Sequence, residues 1–150
     1  MSQNRPEVLS RSVQETDLWL KELAEDMRLE NQSQAYGALR AVLHALRDRL
    51  TVDMAAHLAS QFPLVVTGIF FDGWKPAQSP TSSIQTRADF IEAVRERAHG
   101  HGEFDPNHAA ISVLRLLEKK VSPGQIEKVV DQLPADLKDY WRQLGTSRAA

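Results

Sequence analysis

The sequence predicts an all-α protein of about eight helices, and two kinds of signal support this fold class. Along several stretches, apolar residues recur every three or four positions, which is the spacing of one face of a helix. The clearest run consists of Leu39, Val42, Leu43, Leu46 and Leu50. Between such stretches, capping residues and prolines stand where helices begin, as at Thr51 and at Asp105-Pro106.

Four helices are predicted in the first half of the chain, residues 12–74. Residues 1–11 are expected to form a mobile arm, after which Ser12 and Glu15 have the form of a capping box. Thr51 caps the third helix, and Pro63 suits the first turn of the fourth. The fourth helix is apolar on more than one side, which is typical of a central helix or of one that contributes to an interface. The predicted ranges are about 12–29, 34–50, 52–60 and 63–71.

Four further helices are predicted in residues 86–145. A linker rich in proline and serine, residues 75–85, precedes them. Thr86 caps the fifth helix, and a polar cap followed by proline opens each of the next two. Gly145 is expected to end the eighth helix, so that residues 146–150 form a polar tail. The predicted ranges are about 87–98, 106–120, 123–131 and 134–144.

The two halves of the chain match each other without a gap at an offset of 71 positions, which places Phe70 on Trp141. Caps and prolines coincide together with core residues, since Gln61-Phe62-Pro63 falls on Gln132-Leu133-Pro134. The sequence therefore predicts two fused copies of a four-helix unit. A unit of about 60 residues would be marginal alone, so we expect the halves to pack against each other. The alternative is that the fourth helix packs in a homodimer.

Composition sets limits on function. The net charge is −2 and the sequence contains no cysteine. This charge directs the protein neither to nucleic acid nor to anionic lipid, and the lack of thiols excludes disulfides and cysteine-based catalysis or metal sites. The longest apolar stretch, near residues 62–71, is far shorter than the roughly 20 residues of a membrane span. Because the N-terminus also lacks an apolar signal segment, we expect a cytoplasmic protein without a membrane partner.

One part of the chain has a recognisable family pattern. Residues 35–50 read AYGALRAVLHALRDRL, and Gln61-Phe62-Pro63 and the segment from Gly68 to Trp74 follow them. This succession resembles the bacterial family catalogued as domain of unknown function 2267, and the resemblance extends from Trp19 to Trp141. It implies an all-helical protein of the bacterial cytoplasm. It brings no established activity, ligand or catalytic residue.

The joint between the fifth and sixth helices is rich in histidine and carboxylate side chains. Such groups could bind Zn²⁺ or a similar ion, and the glycines among them would let them converge. No two of them lie four positions apart on one helix, and the alternative is an exposed joint in which Asp105 caps the sixth helix. We therefore expect no metal and no other cofactor. The metal candidates are His99, His101, Glu103 and His108.

The second helix carries a stripe of basic residues beside its apolar face. Such a stripe could bind phosphate, nucleic acid or an acidic partner. Alternatively, it is solvated or pairs with acidic residues of the first helix such as Glu22. No aromatic residues alternate with it, so nucleic acid is not the partner that we favour. The stripe consists of Arg40, His44, Arg47 and Arg49.

An aromatic cluster occupies the end of the fourth helix and the loop after it. Phe70 is expected in the core because it matches Trp141 in the second half. Phe71 and Trp74 match Arg142 and Gly145, so the repeat gives no reason for their burial. We predict that these two residues contact a partner protein. The alternative is that they cover the linker side of the same domain.

The sequence contains no recognisable catalytic constellation. It shows neither a nucleophile elbow nor a phosphate-binding loop nor the helical signature of a metalloprotease. We therefore expect no enzymatic activity, and the leading hypothesis is a protein-interaction or scaffolding module. One alternative is a small-ligand or metal-binding protein that uses the seam between the halves or the histidine joint. The other is a weak nucleic-acid binder that uses the basic stripe.

Overall fold

The computed structural model of the chain describes residues 4–98 and 100–149, with side chains as far as Leu144. In these residues the chain forms eight α-helices and a short 3₁₀ segment, without strands, so the predicted fold class is confirmed. In the described part of the chain, no helix combines the length and the apolarity that crossing a membrane requires. The helices are α1 (Glu7–Met27), α2 (Gln32–Arg49), α3 (Val52–Ala59), α4 (Leu64–Phe71), α5 (Arg87–Arg97), α6 (Pro106–Lys120), α7 (Pro123–Asp131) and α8 (Ala135–Ala149).

Helix α2 lies at the centre of the fold and packs against α1, α4, α5 and α6. Its residues from Ala41 to Arg47 are buried without interruption. A helix surrounded in this way needs small residues where its neighbours come close, and Ala38, Ala41 and Ala45 supply them. Polar side chains on this stretch of α2 therefore lie inside the protein.

The predicted caps of the inner helices are confirmed. The Thr51 hydroxyl accepts a hydrogen bond from the Met54 amide at the start of α3. At the start of α5, Thr86 and Asp89 form a reciprocal capping box. These bonds satisfy amides that have no partner within their own helix.

The N-terminal arm is shorter than predicted, because α1 begins at Glu7 and not at Ser12. Residues 1–3 lie outside the described residues. Ser12 does not cap a helix: it is buried within α1, and its hydroxyl accepts a hydrogen bond of 2.7 Å from the Val65 amide. This contact with α4 and the ion pair between Arg11 and Glu7 stabilise the extra turn.

The predicted stop at Gly145 is wrong, because α8 continues to Ala149. A glycine within a helix costs only about 1 kcal/mol relative to alanine, which a packed helix tolerates. The predicted linker, residues 75–85, includes the 3₁₀ segment Pro76–Gln78 and is attached to the bundle. Ile84 is buried, and the Thr81 amide donates a hydrogen bond of 2.7 Å to the Asp48 carbonyl.

Two hydrogen bonds between the halves correspond to each other under the predicted repeat. The Ser122 amide donates to Gln61 Oε1 at 2.8 Å, and the Thr51 hydroxyl donates to Gln132 Oε1 at 3.2 Å. Gln61 and Gln132 are 71 positions apart, as are Thr51 and Ser122. Two copies related by a twofold axis would make this pair of contacts. The internal repeat itself stays a prediction.

Candidate functional site

Phe71 and Trp74 lie at the outer end of a series of aromatic contacts that starts in the core. The ring centroids are 5.6 Å apart for Trp19 and Phe62, 5.4 Å for Phe62 and Phe70, and 5.1 Å for Phe70 and Phe71. Phe71 then stacks on Trp74 at 5.0 Å. Phe70 is fully buried, as predicted, whereas Phe71 and Trp74 are half-buried. The core therefore fixes the position of the two outer rings.

Trp74 also holds the segment that follows it. Its indole Nε1 donates a hydrogen bond of 3.0 Å to the Ser79 hydroxyl, and its backbone amide donates to the Phe71 carbonyl. Trp74 thus covers part of the linker, which is the alternative role predicted for it. Both aromatic side chains keep part of their surface exposed.

Phe71 continues an apolar stripe along the outer side of α4. Leu64, Gly68 and Phe71 follow each other at positions i, i+4 and i+7, which share one face of a helix. The Leu64 side chain is 54% exposed, and a Cβ added at Gly68 would meet no atom within 4 Å. Glycine in a helix costs about 0.5–1 kcal/mol relative to alanine. No neighbour in the described chain needs the space at Gly68, so another backbone could approach there.

The N-terminal turns of α1 lie beside the start of α4 and add further exposed apolar side chains to this stripe. The hydrogen bond between Ser12 and Val65 fixes the start of α4 beside the first turns of α1. Seven large apolar side chains are exposed in the described part of the chain, and five of them belong to these two adjoining helix ends. We call the whole feature the α1–α4 surface. It consists of Val8, Leu9 and Val13 on α1, Leu64, Val65, Gly68 and Phe71 on α4, and Trp74.

The sequence indicated only part of this surface. The apolar excess of the fourth helix was recognisable, and Phe71 and Trp74 were predicted as contact residues. The sequence does not predict the contribution of α1, because it places Val8 and Leu9 in an arm and leaves only Val13 in the first helix. The helical spacing of Leu9, Val13 and the buried Thr16 would have been the signal for it.

Two residues of the basic stripe face α4 and not solvent. Arg47 Nη1 donates hydrogen bonds to the Phe70 carbonyl at 3.0 Å and to the Asp72 carbonyl at 3.1 Å. A ring nitrogen of His44 lies 2.7 Å from the Ile69 carbonyl. The last carbonyls of a helix have no partner within it, and these two buried side chains supply the missing donors for α4. They hold the aromatic end of that helix in place.

The other two residues of the stripe point to different surroundings. Arg40 forms an ion pair of 3.1 Å with the Asp72 carboxylate, and both groups are partly exposed. Arg49 lies beside Tyr140 and Trp141 on another side of α2, where it lines a small apolar cavity. The four residues therefore do not form one exposed basic face, and a nucleic-acid contact by all of them does not fit this arrangement.

His44 is held in its neutral form by its surroundings. Burial lowers the pKa of His44 from 6.5 to about 4. The hydrogen bond to Ile69 raises this pKa, whereas the charges of Arg47 and Arg40 lower it. The neutral ring therefore donates its Nε2 proton to the Ile69 carbonyl.

We expect this histidine to make the stability of the fold depend on pH. As the pH falls from 6.5 to about 4, the unfolded chain binds a proton at His44 that the folded chain does not bind. The free energy of unfolding should therefore decrease through this window, by about 3 kcal/mol in total, since one pKa unit corresponds to about 1.4 kcal/mol. Urea unfolding of the wild type and of His44→Gln across this pH range measures the effect. The glutamine amide can donate the same bond without titrating, so an identical pH dependence in the two proteins would refute the assignment to His44.

The histidine joint packs against the start of α2. The His101 ring meets the Tyr36 ring edge-on with centroids 4.8 Å apart. Gln34 Nε2 donates a hydrogen bond of 3.0 Å to the Glu103 carbonyl. Gly37 makes this approach possible, because a Cβ there would lie 2.6 Å from the His101 Cβ.

The metal candidates do not converge in the part of the chain that the structure describes. There, no three histidine, aspartate or glutamate side chains are grouped as a metal ion would require. His108 belongs to the first turn of α6, and Glu103 uses its backbone carbonyl for the contact with α2. His99 lies outside the described residues.

Fold and surface together define an all-α bundle whose most exposed apolar side chains are gathered on two adjoining helices. The model of the family described as "Uncharacterized conserved protein (DUF2267)" matches residues 16–140, and the chain belongs to this family. The resemblance found in the sequence is thereby confirmed. A comparison with curated proteins gives no match. The family description names no activity or ligand.

Proposed function

We propose that the protein is a non-enzymatic interaction module of the bacterial cytoplasm, and that its α1–α4 surface binds an amphipathic helix of a partner protein. The observation that carries this proposal is the gathering of five exposed apolar side chains on adjoining ends of α1 and α4. Large contiguous apolar patches are rare on monomeric soluble proteins and are often functional. An amphipathic helix would cover such a patch with its own apolar face.

The rigidity of the surface supports this role. The outer rings of Phe71 and Trp74 are stacked on each other and fixed by the core behind them. Arg47 and His44 hold the last turn of α4 from inside. A surface that is ordered before binding loses less conformational entropy in the complex.

The layout of the surface also fits a helix as the bound element. The apolar stripe runs along α4 from Leu64 past Gly68 to Phe71. At Gly68 the backbone of a partner helix could approach closely, while Phe71 and Trp74 would bury their exposed edges. Aromatic side chains at such positions often supply much of the binding energy.

The test compares two leucine variants that are matched in exposure. Leu64 and Leu18 are both 54% exposed, but Leu18 lies on another side of α1, six residues after Ser12. Proteins captured from an extract of the source bacterium by the wild type are identified, and their affinities for both variants are measured. We expect Leu64→Arg to bind the partner at least about tenfold more weakly, because it places a charge in an apolar contact, while Leu18→Arg binds as the wild type does.

Circular dichroism and urea unfolding serve as controls that both variants are folded. Equal affinity of the partner for the two variants would contradict the proposed surface, as would the lack of any saturable partner. Sedimentation of the wild type and of Leu64→Arg tests whether the α1–α4 surface instead forms a homodimer. A wild-type dimer that Leu64→Arg converts to a monomer would show that the surface binds a second copy of this chain and would overturn the partner helix.

A further inference from the structure

A polar cleft of about 190 Å³ lies between α1 and α6, one helix from each half of the chain. Its charged and polar lining comes from both walls. Glu22 and Asp26 belong to α1, and Ser112, Arg115 and Lys119 belong to α6. The cleft shares no residue with the α1–α4 surface and is a separate feature of the molecule.

Two hydrogen-bond donors at this cleft have no acceptor in the described residues. The Ser112 side chain is 3% exposed, and its hydroxyl makes no hydrogen bond. A serine within a helix commonly donates to the carbonyl four residues earlier, and Ser112 does not. Arg115 Nε is likewise buried without a partner. Unpaired buried donors are destabilising, so their presence at one cleft points to an acceptor that binds there.

The charges of the cleft are separated by helix. Carboxylates stand on the α1 wall and cationic groups on the α6 wall. Glu22 forms an ion pair of 3.0 Å with Lys120. In the described residues, Asp26, Arg115 and Lys119 form no ion pair. One ion pair thus joins α1 to α6, whereas the other charged groups that line the cleft have no ion-pair partner within the described residues.

The helix pair at the corresponding positions of the predicted repeat behaves differently. At the offset of 71 positions, Asp48 of α2 corresponds to Lys119, and Arg97 of α5 corresponds to Asp26. Asp48 and Arg97 form an ion pair of 2.9 Å. Ala41 stands where Ser112 stands in α6. At these positions α2 and α5 are joined by an ion pair, whereas Asp26 of α1 and Lys119 of α6 form none in the described residues, and the Ser112 hydroxyl has no partner there.

We propose that the α1–α6 cleft binds a small zwitterion with one carboxylate and one ammonium group, the chemistry of a free α-amino acid. The ligand carboxylate accepts hydrogen bonds from the Ser112 hydroxyl and from Arg115, next to the charge of Lys119. The ligand ammonium donates to Asp26 and Glu22 on the opposite wall. A cleft of about 190 Å³ is large enough for a ligand of the size of L-alanine.

Calorimetric titration of the full-length protein with L-alanine tests the proposal. N-acetyl-L-alanine, which lacks the ammonium, and L-alaninamide, which lacks the carboxylate, are the matched control ligands. We expect saturable binding of L-alanine and at least about tenfold weaker binding of both controls, because each control leaves the charged groups of one wall without a partner. Ser112→Ala should weaken L-alanine binding by about tenfold as well, because it removes one donor to the carboxylate.

Several outcomes would overturn the zwitterion site. One is that L-alanine, glycine and L-serine all fail to bind. Another is that N-acetyl-L-alanine binds as well as L-alanine, which would mean a simple anion site. Unchanged binding in folded Ser112→Ala would also overturn it. If Ser112→Ala does not fold, the affinities of the wild type for L-alanine, N-acetyl-L-alanine and L-alaninamide still test the proposed site. Leu64→Arg should bind L-alanine normally, so a failure at the α1–α4 surface can be distinguished from a failure at this cleft.

Discussion

Replacing Phe70 by alanine should lower the free energy of unfolding by about 3–5 kcal/mol, whereas the same change at its neighbour Phe71 should cost about 1 kcal/mol. The Phe70 side chain is fully buried between Phe62 and Phe71. Its removal leaves a cavity in addition to the loss of apolar burial. Phe71 is half-buried, so less apolar surface returns to water when it is removed. Urea unfolding of both variants, followed by circular dichroism, measures the difference.

The two variants control for each other, because they carry the same chemical change one position apart on α4. Only Phe71→Ala is expected to weaken partner binding while the protein stays folded. If both variants lose the same large amount of stability, Phe71 is a core residue, and the α1–α4 surface loses the aromatic end on which the proposed interaction depends.

The contrast between these two phenylalanines shows what the sequence could predict. Burial of Phe70 followed from its match with Trp141, because core positions constrain residue type in any copy of a fold. The half-exposed state of Phe71 was inferred only from the lack of such a match. Local rules likewise predicted the helices and their caps well, since a cap such as Thr51 acts within a few residues of its own position.

Local rules failed where a distant contact replaced a local one. Ser12 has the sequence of a helix cap, yet its hydroxyl bonds to Val65, and α1 extends beyond it. His44 and Arg47 lie on a basic stripe, yet their donors serve carbonyls of α4 more than twenty residues away. Helical periodicity shows which residues share a face, but it does not show which helix packs on that face.

The cleft between α1 and α6 could not be predicted from the sequence either, because periodicity does not show that these two helices pack together. The sequence around Ser112 does not show that its hydroxyl lacks a hydrogen-bond partner in the folded chain. Ser112 becomes part of a candidate site only because α1 packs beside α6 and places Glu22 and Asp26 at the same cleft. A small-ligand site at that seam was an alternative from the sequence, but its residues could be named only from the packing of the two helices.

Replacing Arg47 by alanine should lower the free energy of unfolding by about 3 kcal/mol, although Arg47 belongs to a stripe for which the sequence left both a ligand contact and an internal ion pair open. The change leaves the Phe70 and Asp72 carbonyls without their donor. It also removes one of the two arginines paired with Asp48. For a chain of this size the loss corresponds to a fall of about 6–12 °C in the midpoint of thermal unfolding.

Arg40→Ala is the matched control, since Arg40 lies on the same stripe but forms only a partly exposed ion pair. Its removal should cost about 0–1 kcal/mol. Equal costs for the two variants would show that Arg47 does not anchor α4. If Arg47 is the anchor, its loss should loosen the turn that carries Phe71 and weaken partner binding even where the variant remains folded. A side chain that touches no partner would then control the α1–α4 surface, because the donors that hold a helix end in place also fix the aromatic rings on it.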